Sequence, residues 1–86
     1  MVSSYRDLDV WRLAMKLAEN IYYVTHAFPH RETYALSSQL QRAAVSVASN
    51  IAEGHARGYT KDYLRFIAMA MGSLAELETQ LELSPD

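Results

Sequence analysis

The chain has 86 residues, of which 50% are hydrophobic, and its formal net charge is −2 at pH 7. This length suits a single small domain, and this apolar content excludes intrinsic disorder as the general state of the chain. Disulfides and thiolate metal sites are excluded because there is no cysteine, and the charge argues against a strongly basic nucleic-acid binder.

The first predicted helix spans about residues 6–27. Apolar residues recur there with the 3.6-residue period of an amphipathic helix. They form two neighbouring rows, Leu8, Trp11, Met15, Ala18 and Tyr22, and Leu13, Leu17, Ile21, Val24 and Phe28. Ser4 and Asp7 have the spacing of a capping box at its start. Pro29 ends the helix, because a residue that precedes proline is pushed out of the α region.

The second predicted helix spans about residues 31–56. Its main apolar row consists of Leu36, Leu40, Ala43, Ala44, Val47 and Ile51, and the next sector holds Ser37, Val45, Ala48 and Ala52. Because both sectors can pack, we expect this helix in the middle of a bundle, or between its own bundle and a partner subunit. Gly54 and Gly58 are expected to end the helix and turn the chain.

The remaining sector of the second helix is a polar stripe. It contains Gln39, Arg42, Ser46, Asn50 and Glu53. A solvated helix face usually shows Lys and Glu at i, i+4, and this stripe has no Lys. The functional interpretation is a partly buried hydrogen-bond network that ties subunits together or lines a ring, and the alternative is a solvated face. Arg42 and Glu53 are too far apart on one helix to touch, so a contact between them would have to join two subunits.

The third predicted helix spans about residues 61–83, with Thr60 as its N-cap. Its apolar row consists of Tyr63, Phe66, Ile67, Ala70, Leu74, Leu77 and Leu81. A second row of small residues, Leu64, Ala68, Gly72 and Ala75, is expected to let a helix approach closely, either inside the monomer or between subunits. The predicted fold class is therefore all-α, an antiparallel up-down helical bundle forming one domain over residues 1–86.

The loop before the third helix is a candidate anion site. Arg57, Tyr59 and Lys61 lie beside the free N–H groups at the start of that helix, where the helix dipole favours negative charge. A phosphate could bind there, and Tyr59 could stack on a base. The alternative is an ordinary turn between two helices.

No catalytic, metal or cofactor site is predicted. His26 and His30 have the i, i+4 spacing of a helical metal pair, but Pro29 lies between them and breaks the helix. Glu53 and His55 could exchange protons, but no nucleophile or evident pocket accompanies them. The chain is therefore predicted not to be an enzyme.

Several ordered motifs resemble a known family. They are Tyr5 to Trp11, Phe28-Pro29, the run Gln39-Leu40-Gln41-Arg42-Ala43-Ala44, the run Asn50-Ile51-Ala52-Glu53-Gly54, and Gly72 to Glu78. Together they resemble the four-helix-bundle family of 23S ribosomal RNA intervening-sequence proteins, over nearly the whole chain. The family is similar to the accessory variability determinant proteins of diversity-generating retroelements. That similarity implies a pentameric ring that contacts nucleic acid, and it carries over no catalytic residues.

The resemblance also implies a fourth helix, which we expect this chain to lack. An apolar groove between the first and third helices would then be exposed. The family's nucleic-acid-binding relatives are basic, and this chain is not.

Two functions are predicted. The first is a non-enzymatic homo-oligomeric binding scaffold, a pentamer by resemblance, which works with copies of itself. The second is an RNA-binding accessory protein that repeats a basic loop around a ring, using Arg6, Arg12, Arg57, Tyr59 and Lys61. No apolar run approaches the ~20 residues of a membrane span, so we expect a soluble cytoplasmic protein without a membrane partner, and no small-molecule substrate is evident.

Overall fold

The computed structural model describes residues 4–84, with the side chains of residues 30–33 left out, and this part of the chain is all-α. A 3₁₀ turn over Tyr5–Asp7 precedes three helices, α1 over Asp9–His26, α2 over His30–Ala56 and α3 over Thr60–Glu82. No strand occurs within these residues. The predicted all-α fold and its three helices are confirmed. The spacing of His26 and His30 as a metal-binding pair involves the side chain of His30, which lies outside the described part of the structure.

Two predicted helix caps are wrong. The Ser4 side chain accepts a hydrogen bond from the Arg6 N–H, so it caps the 3₁₀ turn and not the first α-helix. The chain leaves helical geometry at Leu8 (φ −77°, ψ 126°) before α1 begins. Thr60 is the first helical residue of α3, and the extended Tyr59 occupies the N-cap position without a side-chain cap hydrogen bond.

The helix α2 lies between α1 and α3 and runs antiparallel to both. Gln41 of α2 donates a hydrogen bond to the Thr25 hydroxyl near the end of α1, at 3.0 Å. The hydroxyls of Ser46 and Ser73 are 2.8 Å apart between α2 and α3. No Cα atoms of α1 and α3 come within 8 Å of each other in the described chain. The sequence prediction of a central second helix is therefore confirmed.

Two buried clusters form the core. One contains Ala18, Ile21, Leu40, Ala43, Ala44 and Leu77, and the other contains Ala14, Val47, Ala48, Ile51 and Ala70. The apolar row predicted for α2 is thus buried, except for Leu36, which is partly buried against the first cluster. The rows predicted for α1 are partly wrong, because Met15 and Tyr22 are exposed while Thr25 is buried. The Thr25 hydroxyl satisfies its hydrogen bond within the helix by donating to the Ile21 carbonyl at 2.7 Å.

The predicted end of α2 near residue 56 is confirmed, but Gly54 lies inside the helix and does not have its predicted role in ending it. The helix continues to Ala56, and Gly58 turns the chain with a left-handed φ of 81°. A Cβ atom built on Gly54 would lie 2.5 Å from the Phe66 Cβ. Gly54 is therefore a packing residue, which lets α2 and α3 approach each other closely near the loop.

The row of small residues on α3 does not face α2. Leu64, Ala68, Gly72 and Ala75 are exposed, and nothing lies within 4 Å of a Cβ built on Gly72. The residues of α3 that are buried are Phe66, Ala70, Leu77 and Gln80. The prediction that this row of small residues packs inside the monomer is therefore wrong, because a different sector of α3 contacts α2. We call Leu64, Ala68, Met71 and Ala75 the outer row.

Apolar side chains are also exposed on either side of the core. They include Val10, Leu13 and Val24 on α1, and Leu74 and Leu81 on α3. These exposed side chains lie on both outer helices, and the predicted apolar groove between the first and third helices stays a prediction. Among the described residues, none of the helices combines the length and apolarity that crossing a bilayer requires.

Candidate functional site

Part of the predicted polar stripe forms a hydrogen-bonded seam between α2 and α3. Ser46 contacts Ser73, and the Asn50 side-chain amide donates to the Ser46 carbonyl at 2.9 Å and to its hydroxyl at 3.0 Å. Further along, the Gln80 side-chain amide donates to the Gln39 carbonyl oxygen at 3.2 Å. These hydrogen bonds form within one protomer, so this half of the stripe holds two helices of the same chain together.

The seam leaves one buried acceptor without a donor. The Gln80 side-chain oxygen is buried and has no hydrogen-bond partner in the described part of the chain. Gln80 lines a shallow cavity of about 300 Å³ together with Gln39, Arg42, Ser46 and Glu76. A donor entering this cavity, from Arg42 or from another molecule, would remove the cost of burying that oxygen unpaired.

Glu53 and Arg42 lie on the exposed side of α2. Glu53 accepts a hydrogen bond from the Arg57 guanidinium at 3.1 Å, one helical turn further along the chain. The sequence interpretation considered Arg42 and His55 as partners of Glu53 and missed this contact with Arg57, although the i, i+4 spacing signals it. Arg57 is therefore partly neutralised, and it also lies over the Phe66 ring at 4.8 Å.

Replacing Glu53 by glutamine is expected to change the free energy of unfolding by no more than about 0.5 kcal/mol. The Glu53–Arg57 pair is largely exposed, so water and salt screen it. Urea unfolding at low and at high salt measures the free energy of unfolding of the variant and of the wild-type protein. Glu78→Gln is the matched control, because Glu78 is an exposed glutamate of α3 that forms no ion pair within residues 4–84. A loss above about 1 kcal/mol for Glu53→Gln alone would contradict an exposed pair.

A cavity of about 610 Å³ lies at the end of the molecule where α2 gives way to α3. Aromatic side chains make up much of its lining. The lining residues are Ser4, Tyr5, His55, Ala56, Gly58, Tyr59, Thr60 and Tyr63. We call it the tyrosine cavity. The 3₁₀ turn at the start of the chain supplies Tyr5, and the left-handed Gly58 directs the chain into the extended Tyr59.

The predicted basic residues are distributed unequally around this cavity. Arg6 lies over the Tyr5 ring at 4.9 Å, so its charge is close to the lining. Lys61 is exposed in the first turn of α3 and forms no ion pair within residues 4–84. Arg12 is held instead by Asp7 and Asp9, at 3.7 and 3.9 Å. Arg57 is paired with Glu53, so two of the four predicted basic contacts already have carboxylate partners.

Sequence reasoning missed two aromatic residues of this cavity. Tyr5 and Tyr63 were not considered as site residues, and His55 was considered only for acid-base work with Glu53. No local signal connects Tyr5 to Tyr59, because 53 residues separate them in the chain. Only the antiparallel return of the helices brings the 3₁₀ turn beside the loop that follows α2.

A second cavity, of about 570 Å³, is a mainly apolar groove between α1 and α2. Its lining from α1 includes Trp11, Met15, Glu19 and Tyr22, and its lining from α2 includes Val45, Ala48, Ser49 and Ala52. Apart from Ala18, the residues of the α1 wall are large, and apart from Val45, those of the α2 wall are small. This groove shares no residue with the outer row of α3, so these two exposed apolar surfaces are separate.

A family model described as "23S rRNA-intervening sequence protein" matches residues 6–86. No curated protein matches the chain. Within the described residues, no group of three or more His, Cys, Asp or Glu side chains is placed to hold a metal ion.

Proposed function

The chain belongs to the 23S rRNA-intervening sequence protein family, and we propose that it works as a non-enzymatic scaffold that assembles from copies of itself. It binds its partners through surfaces repeated around the assembly. A pentamer is the number that the resemblance to the retroelement accessory proteins implies. We also propose a cytoplasmic location, which the absence of cysteine suits.

The outer row of α3 carries this proposal. Leu64 and Met71 are 61% and 66% exposed, and with Ala68 and Ala75 they follow the i, i+4, i+7, i+11 spacing of a helix-packing face. A contiguous exposed apolar surface of this kind is typical of an interaction site. Burying a Leu or Met side chain fully contributes about 1.5–3 kcal/mol, which favours association.

The groove between α1 and α2 supports a ring over a closed dimer. A symmetric dimer uses the same surface on both subunits, whereas a ring uses two different surfaces in a head-to-tail contact. The ridge of Leu64 and Met71 complements a groove with small side chains such as Ala48 and Ala52 in its wall. At the groove, Glu19 has the charge opposite to that of Arg65, which lies beside Leu64 on α3.

The mass of the native protein in solution tests this proposal. Size-exclusion chromatography with light scattering is expected to give a mass near five times the 9.7 kDa of one chain. Met71→Glu is expected to reduce it to the mass of one chain, because a buried unpaired carboxylate costs more than association supplies. The helical circular dichroism of the variant is expected to remain, since Met71 is exposed in the protomer.

Met69→Glu is the matched control. Met69 is also exposed, at 47%, on the same helix, but it lies outside the outer row. This variant is expected to keep the native mass. A monomeric wild-type protein would overturn self-association, and an unchanged mass for Met71→Glu would remove the outer row from the contact.

RNA binding is the second candidate function, and the tyrosine cavity favours it. It brings the exposed Tyr59 together with Tyr5, whose ring carries the Arg6 guanidinium at 4.9 Å, and Lys61 follows the lining residue Thr60 in the chain. A base-stacking and phosphate-binding site requires such aromatic and basic groups. Filter binding of RNA at two salt concentrations tests it, because phosphate contacts give an affinity that falls steeply with salt. Because the net charge of the chain is −2, RNA binding would depend on this local site. Several copies of the site in a ring would increase the affinity for RNA through avidity.

A further inference from the structure

The tyrosine cavity has the size and lining of a site for a single planar ligand. Its volume of about 610 Å³ lies within the range of small-molecule sites. We propose that it binds one nucleotide unit, with the base against the tyrosine rings and the phosphate at the start of α3. The inference deepens the second candidate function and does not depend on self-association.

Two of the aromatic walls are held in place before a ligand arrives. The rings of Tyr5 and Trp11 pack edge to face with centroids 5.2 Å apart. Tyr63 packs in the same way against His55, at 5.8 Å. Rings fixed by such contacts lose little freedom when a base stacks on them. The 3₁₀ turn and α3 therefore present preorganised stacking surfaces.

The third tyrosine is free to close on a bound base. The Tyr59 side chain is 73% exposed, whereas tyrosine side chains in folded proteins are usually at least partly buried. It follows the left-handed Gly58 and precedes the first residue of α3. A base that enters the cavity would cover the Tyr59 ring and remove it from water, which is the contact expected to contribute most.

The start of α3 suits the phosphate. The N-cap residue Tyr59 provides no side-chain hydrogen bond, and the backbone N–H groups of Thr60, Lys61 and Asp62 have no partner in the described chain. Free N–H groups at a helix N-terminus favour an anion. Arg6 and Lys61 add positive charge, and Asp62 in the same turn subtracts from it. The phosphate contact is therefore secondary to stacking.

A cationic ligand fits this cavity less well. Tyrosine-lined pockets also bind quaternary ammonium groups through cation–π contacts. Here the Arg6 guanidinium already lies over the Tyr5 ring. A second cation would meet Arg6 and Lys61 at the same end of the molecule. The charges around the cavity thus select an anionic aromatic ligand.

Calorimetric titration of the whole protein with AMP at low salt tests the proposal. AMP is expected to bind, whereas adenosine and ribose 5-phosphate are each expected to bind more weakly. Tyr59→Ala is expected to weaken AMP binding by roughly tenfold, the middle of the effect of losing one base–aromatic stack. Tyr23→Ala is the matched control, since Tyr23 is 82% exposed on α1 and lies outside the cavity.

A short single-stranded RNA oligonucleotide distinguishes the two sources of a nucleotide. Tighter binding of the oligonucleotide than of AMP, lost in Tyr59→Ala, would identify an unpaired residue of RNA as the ligand. Equal binding per site would identify a free nucleotide. Three results would each overturn the proposal. They are no binding of either AMP or the oligonucleotide, equal affinity for adenosine and AMP, and an unchanged AMP affinity in Tyr59→Ala. Self-association is tested by the mass in solution and this site by ligand binding, so failure of one is distinguishable from failure of the other.

Discussion

Replacing Leu40 by alanine is expected to lower the free energy of unfolding by about 2–5 kcal/mol. Leu40 is fully buried in α2, and its cluster also contains Ile21 of α1 and Leu77 of α3. The neighbouring Ala43 and Ala44 are too short to fill the space left behind. Because small domains have a total stability of about 5–15 kcal/mol, this change would remove a large part of it.

Urea unfolding followed by circular dichroism measures this effect, at one fixed protein concentration because association shifts apparent stability. Leu13→Ala is the matched control. Leu13 is 69% exposed on α1, so its loss is expected to cost no more than about 0.5 kcal/mol in the protomer. Equal destabilisation by the two changes would contradict the burial of Leu40 between all three helices.

Gly54→Ala is expected to destabilise the protein by about 1–3 kcal/mol, although alanine is the better helix former. The added Cβ would lie 2.5 Å from the Phe66 Cβ and 3.4 Å from the Tyr63 Cα. Neither atom is the far end of a flexible side chain. The helices α2 and α3 would have to move apart, and the seam of Ser46 and Ser73 would be strained as a consequence.

Gly72→Ala is the matched control, and its expected change in stability has the opposite sign to that of Gly54→Ala. Gly72 is exposed within α3, and nothing lies within 4 Å of an added Cβ. The change is therefore expected to stabilise the helix by up to about 1 kcal/mol. Thermal unfolding of the two variants beside the wild-type protein compares them directly. Destabilisation by Gly72→Ala would contradict this expectation and indicate that α3 packs closely against another subunit there.

The helices of this protein are predictable because helix formation depends on local sequence. The period of 3.6 residues, the proline at position 29 and the glycine at position 58 all act within one or two turns. The central position of α2 was predictable for a related reason. Its two adjacent sectors of small or apolar residues let it pack on two sides.

The candidate site was predictable only in part. Tyr59 and Lys61 could be identified because they lie beside the start of a helix, which is a local feature. The rest of the tyrosine cavity could not, since Tyr5 comes from the other end of the chain. Arg57 was assigned to nucleic acid from its place beside the same helix start, and Arg12 was named with it as a basic contact. The structure pairs both with carboxylates nearby.

The sequence by itself determined the all-α class, the three helices, the central place of α2 and the family. The tertiary structure decided which sector of each outer helix is buried. The α1 helix has more apolar surface than one neighbour can cover, so periodicity could not choose Thr25 over Tyr22. Likewise, one glycine of the chain packs against Phe66 and another lies exposed, although both lie in helices. Burial depends on which surfaces meet across the fold, and that is set by long-range packing that no local pattern encodes.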